Sequence, residues 1–184
     1  MKNIEHLLKR INDATSPGCE DRGMLAALRR GLSEATEHYA WPYLAPYCNL
    51  SDPEQRIVWL TIAGAAAILA PAGLAREKSE VGVGNMGATM RELAVGDERK
   101  KDEVEKRLAT FESRFRRLLT CRTVEELCRH LVGIFRAAAA KNKPVNLVQL
   151  YSDLQRWESP QEADVRVEWA QGYWVDTPDT EEQP

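Results

Sequence analysis

The chain has 184 residues, 43% of them hydrophobic, which is enough for one domain or two small ones with a real core. Its 25 basic and 28 acidic residues leave a net charge of −3 and a pI near 5.7, excluding a uniformly basic nucleic-acid-coating protein. The charge is strongly polarised along the chain. Residues 99–143 carry 13 basic against 6 acidic side chains, and residues 144–184 carry 2 against 9, so a local positive field coexists with an acidic whole.

Taken in chain order, the apolar residues recur at three and four, and capping signals precede several runs, predicting an all-α fold without a convincing strand. Asp21 to Arg30 reads as a short helix stopped by Gly31. Ser51-Asp52-Pro53-Glu54 opens a long apolar segment with a cap, a first-turn proline and a Glu three residues after the Ser. Ile57 through Ala75 runs without a charge. That length suits a membrane span, but its Ala, Gly and Thr content and Pro71 favour a buried core helix.

Arg76 to Gly87 turns charged and glycine-rich and is expected to be a linker. The expected organisation is two small helical bundles in an elongated arrangement: 1–75, a linker at 76–87, a second unit at 88–174 and a tail at 175–184. Thr123-Val124-Glu125-Glu126 and Ser159-Pro160-Gln161-Glu162 read as further helix starts, and Asn146 as the cap of a helix over Leu147 to Trp157.

Gly82, Gly84 and Gly87 match a dinucleotide-binding glycine pattern, but a charged segment precedes them where that chemistry requires a strand. The three histidines His6, His38 and His130 lie far apart with no paired spacing, and Cys121 and Cys128 read as packed thiols, so no metal or other cofactor is expected. No cysteine forms a Cys-x-x-Cys pair and no secretory leader is read at the start, giving an expectation of reduced thiols in the cytoplasm. No nucleophile and base can be paired from spacing, so a non-enzyme is expected.

The informative stretch is Thr123 to Ala140. Val124, Leu127, Cys128, Leu131, Ile134, Phe135 and Ala138 fall on one side of a helical wheel, leaving Arg122, Arg129 and Arg136 seven apart on the other, with Lys143 continuing the spacing. Ahead of it, Arg114, Arg116 and Arg117 alternate with apolar residues that bury their stems. Forked guanidinium groups suit phosphate oxygens, although Glu125 and Glu126 can also pair with Arg129. No aromatic residues interleave the basic run as a stacking platform would need, which points to backbone contact rather than base contact. Trp41, Tyr43 and Tyr47, and Tyr151, Trp157, Trp169, Tyr173 and Trp174, are expected to pack.

The segments Leu25-Ala26-Ala27-Leu28-Arg29-Arg30-Gly31, Gly87-Ala88-Thr89-Met90-Arg91-Glu92-Leu93 and Phe115-Arg116-Arg117-Leu118-Leu119-Thr120, in that order and followed by Leu147 through Arg156-Trp157 to Trp169, resemble the CasB family. That family is the small subunit of the type I-E CRISPR Cascade complex. The resemblance covers most of residues 20–174. It implies a non-catalytic, antiviral-defence protein present in two copies beside the backbone and large subunits, CRISPR RNA and target DNA. There it would stabilise the R-loop and the displaced strand, without membrane or small-molecule substrate. The nucleic-acid contacts it implies are Arg29, Arg30, Arg91, Arg107, Arg116, Arg117, Arg136, Lys141 and Lys143. The competing expectation is a helical adaptor that binds only protein.

Overall fold

The computed structural model describes residues 2–76, 84–159 and 164–174. Nine α-helices lie among the described residues: α1 (Lys2–Asp13), α2 (Arg22–Arg30), α3 (Trp41–Leu44), α4 (Pro53–Leu69), α5 (Met86–Val95), α6 (Lys101–Leu119), α7 (Val124–Ala140), α8 (Leu147–Arg156) and α9 (Val165–Trp174). The protein is all-α, apart from one parallel pairing of two-residue strands, β1 (Ala75–Arg76) and β2 (Val145–Asn146). These brief strands lie below what sequence alternation can signal.

The fold is organised around α4. Eleven of its residues, from Val58 to Leu69, are buried, and α1, α2, α7 and α8 pack around it. A helix apolar on every side needs such a sheath. Pro53–Ala72 is long and apolar enough to cross a membrane by length and composition, yet most of it is occupied by contacts within the protein. Buried apolar residues from both sides of residues 77–83 join one continuous core. Gly64 gives Leu32 its seat on α4, since a Cβ there would overlap the leucine side chain.

The helix starts follow local chemistry. Asp52, rather than Ser51, caps α4, its Oδ1 accepting from the Glu54 and Gln55 amides, with Pro53 in the first turn. Thr123 caps α7 by accepting from the Glu126 amide; Glu126 reaches back to the Arg122 amide, one residue before the cap. Asn146 caps α8. Residues 160–163 lie outside the described residues, and with them most of the start expected at Ser159. The tail at 175–184 does too.

Gly31 ends α2 for a reason the sequence hid. Its backbone is right-handed, φ −59°, so no left-handed cap is needed. Instead, a Cβ there would meet the Ala40 methyl at 2.8 Å and Leu60 at 3.1 Å. Gly87 behaves similarly: α5 begins at Met86, inside the stretch expected to be linker, and crosses α9 so closely that a Cβ at Gly87 would overlap the Trp169 carbonyl. Gly172 on α9 reciprocates, with the Ala88 amide 2.9 Å from where its Cβ would stand. Of the glycine triplet, Gly82 lies outside the described residues.

Candidate nucleic-acid interface

The basic segment is carried by α6 and α7. Acidic Asp102 and Glu103 open α6, and Arg116 and Arg117 close it, the arrangement the helix dipole favours. Phe115 is fully buried and stacks on Tyr173 of α9 at 4.2 Å between ring centroids, and the Tyr173 hydroxyl donates to the Leu108 carbonyl at 3.0 Å. Burial pushes that hydroxyl up to about 12, keeping it protonated as a donor. With Phe115 and Leu118 turned inward, Arg114, Arg116 and Arg117 point to solvent.

On α7 the expected inner face is observed: Val124, Leu127, Cys128, Leu131, Phe135 and Ala138 are buried and Ile134 is half-buried against the core, while Arg122, Arg129 and Arg136 are exposed. The row stops there. The helix ends at Ala140, and Lys143 turns back to pair with Glu92 at 3.3 Å and Asp97 at 3.2 Å. The hydrogen bond that Lys143 donates to Asp97 raises its pKa above the ordinary lysine value. Arg129 pairs with Glu125 one turn earlier, as its spacing predicts.

The nine residues implied by the resemblance fall into distinct settings. Four of them donate to carbonyls in the last turn of another helix: Arg29 to Ala67 at 3.0 Å, Arg91 to Tyr173 at 3.1 Å, Arg107 to Val95 at 2.8 Å and Lys141 to Leu93 at 2.7 Å. These carbonyls have no intrahelical donor, so a cation there satisfies them and complements the negative helix end. Arg107, Lys141 and Lys143 are thus brought together around the end of α5. Arg107 also pairs with Glu98 at 3.2 Å.

The remaining four are displayed. Arg30 lies over the Tyr39 ring at 5.2 Å, and Arg116 lies over Trp174 at 5.2 Å while pairing with Glu112. Arg117 and Arg136 are exposed and have no ion pair or side-chain hydrogen bond among the described residues. Trp41 and Trp174, expected to pack, are 38% and 41% exposed.

A family comparison places this geometry. The model of CRISPR-associated protein Cse2 matches residues 24–174. The chain belongs to the Cse2 family. Cse2 is the CasB family of the resemblance, and membership makes the protein a subunit of type I-E Cascade, with other Cascade subunits as its partners. Searches of curated proteins and of solved structures gave no significant match.

In this Cse2 chain, sequence reasoning missed two clusters. The first joins α8 to α9: buried Asp153 accepts from Trp169 Nε1 at 2.7 Å, Gln149 Nε2 at 2.8 Å and Arg156 at 2.9 Å, and Arg156 also grips Glu168 with both terminal nitrogens. Desolvation raises the Asp153 pKa against those three donors, whereas the Arg156 hydrogen bonds lower that of Glu168. The signals were Asp153-x-x-Arg156 and the Trp169 that needs an acceptor when buried. The second cluster, Cys121, Glu126 and His130, sets three metal-ligand-type atoms within 4.8 Å of one another at the turn from α6 to α7. Searching for paired histidines could not find it, because it draws one ligand of each kind.

Proposed function

We propose that this Cse2 protein is a non-catalytic small subunit that holds nucleic-acid backbone without reading sequence, stabilising the CRISPR RNA–target DNA R-loop and the displaced strand. The observation that carries the proposal is the display of Arg117 and Arg136, exposed and without protein partners among the described residues, on the segment with 13 basic against 6 acidic side chains. RNA-guided recognition assigns sequence reading to base pairing, and strand exchange is nearly balanced, so a few phosphate contacts tip it. Two copies in a cytoplasmic complex, each placing Arg30, Arg116, Arg117 and Arg136 against backbone, would extend that effect. The experiment is fluorescence anisotropy of the full chain, alone and with backbone subunits, on single-stranded DNAs of unrelated sequence over a salt series. Similar affinities that weaken with salt, with a slope of about 0.7 per phosphate contact, are expected. Absence of binding at low salt in both settings refutes the proposal.

The second reading, an adaptor that meets only protein, is favoured by one observation. Tyr39 stands 45% exposed beneath Arg30, and Trp41, two residues on, is 38% exposed, residue types enriched at protein interfaces. A dimer that dissociates with salt and forms without nucleic acid would favour this alternative.

A further inference from the structure

We infer that Cys121, Glu126 and His130 form a binding site for a divalent transition-metal ion of the zinc class. Cys121 lies in the turn that closes α6, while Glu126 and His130 stand four apart on α7 and so project from the same side of the helix. One sulfur, one carboxylate oxygen and one ring nitrogen lie within 4.8 Å of one another. The edges of a tetrahedral zinc shell are roughly 3.5 Å, given bonds of about 2.0–2.3 Å, so side-chain rotation of about an ångström closes the set. The donor set selects the ion class: thiolate and imidazole suit zinc or cobalt, and magnesium, which prefers oxygen ligands, is disfavoured.

The existing hydrogen bonds prepare the ligands without using them up. The Cys121 thiol donates to the Arg117 carbonyl at 3.3 Å, and Glu126 accepts from the Arg122 amide at 3.0 Å, leaving its second oxygen available. Such outer contacts orient ligands in metal sites. His130 is half-buried and makes no hydrogen bond or ion pair among the described residues, an unusual state for an imidazole facing a thiol and a carboxylate. On binding, Cys121 loses its thiol proton to solvent, His130 binds through a neutral ring nitrogen, and water completes the fourth position. Arg166 sits nearby but donates to the Cys121 carbonyl at 3.0 Å, not to a ligand atom. The ion would pin the end of α6 to the first turns of α7, fixing the turn between Arg117 and Arg129.

The test titrates the chelator-dialysed, reduced full chain with Co2+ and Zn2+. One equivalent of Co2+ should give a thiolate-to-cobalt charge-transfer band that Zn2+ abolishes, and Zn2+, but not Mg2+, should raise the melting temperature. Cys121→Ser should remove the band, Cys128→Ser should keep it, and Glu126→Gln and His130→Gln should each weaken Zn2+ binding tenfold or more. Circular dichroism checks the fold of each variant. Should Cys121→Ser unfold, the two glutamine variants decide. No band in the wild type, a band surviving in folded Cys121→Ser, or unchanged affinity in the glutamine variants overturns the site.

Discussion

The Lys141 ammonium donates to the carbonyl of Leu93 at 2.7 Å, joining the end of α7 to the end of α5 across 48 residues of sequence. Lys143, two residues on, pairs with Glu92 and Asp97 with only 17% of its side chain exposed. Its partners are open to solvent, Glu92 by 58% and Asp97 fully, so replacing Lys143 with Met should destabilise the fold by no more than about 1 kcal/mol. Nucleic-acid affinity should stay unchanged. Denaturant melts and anisotropy on the same sample check both, and a large loss of affinity with an unaltered melt would return Lys143 to the binding surface. The raised Lys143 pKa gives the sign with pH: its contribution is complete below 10.5 and is lost as pH rises through the folded value.

Arg117 and Arg136 should behave in the opposite way. Neither has an ion pair to lose among the described residues, so Arg117→Glu with Arg136→Glu should shift stability by no more than about 0.5 kcal/mol per site. Binding to single-stranded DNA should weaken, and the logarithmic salt slope should fall by about 0.7 for each lost contact. Two titrations, at low and moderate salt, separate lost contacts from a general change in charge. An unchanged slope would count against phosphate contact at these positions.

The contrast between these pairs marks what the sequence made legible. The inner face of α7 could be read because burial imposes a 3.6-residue period, and Thr123 and Asn146 could be read as caps because the partner amide is three residues away. The use of Arg29, Arg91, Arg107 and Lys141 could not, because each donates to a backbone carbonyl, and any residue type supplies one. Basic residues counted along a chain look alike whether they finish a neighbouring helix or face solvent. Gly31 and Gly87 were hidden similarly, since their need for space is set by Leu60 and Trp169, far away in sequence.

Gly87→Ala tests the α5–α9 crossing. The new methyl would collide with the Trp169 carbonyl, a backbone atom that moves only if α9 moves. The expected cost is about 1–3 kcal/mol of overpacking. For a chain of this size, that lowers the melting temperature by about 2–4 °C per kcal/mol. Gly133→Ala is the control: nothing lies within 4 Å of its would-be Cβ, and it sits on the exposed side of α7. Helix propensity should make the control neutral or slightly stabilising. Equal losses in both variants would remove the packing explanation.

Asp153→Ala should be among the most damaging single changes to stability. It strips the acceptor from the buried Trp169 indole, and takes from Arg156 one of its carboxylate partners. Leaving the buried indole donor without its acceptor costs about 1–3 kcal/mol, while Arg156, 20% exposed, keeps Glu168. Near-ultraviolet circular dichroism should lose tryptophan signal as Trp157 and Trp169, now 5.1 Å apart between ring centroids, loosen. A variant as stable as wild type would mean that Asp153 offsets no more than its own desolvation.

Glu168 gives a pH signature separable from that of Asp153. Its pKa is lowered from 4.5, first by the Arg156 hydrogen bonds, so its contribution is present above 4.5 and disappears as pH falls through the folded value. The Asp153 pKa is raised from 3.8, so its linkage runs the other way and favours the protonated folded state. Measured against Glu168→Gln, the wild type should hold its largest stability advantage near neutral pH, and the two denaturation curves should converge on acidification below 4.5. A gap between them that stays constant from neutral to acid would show that Glu168 acts through shape rather than charge.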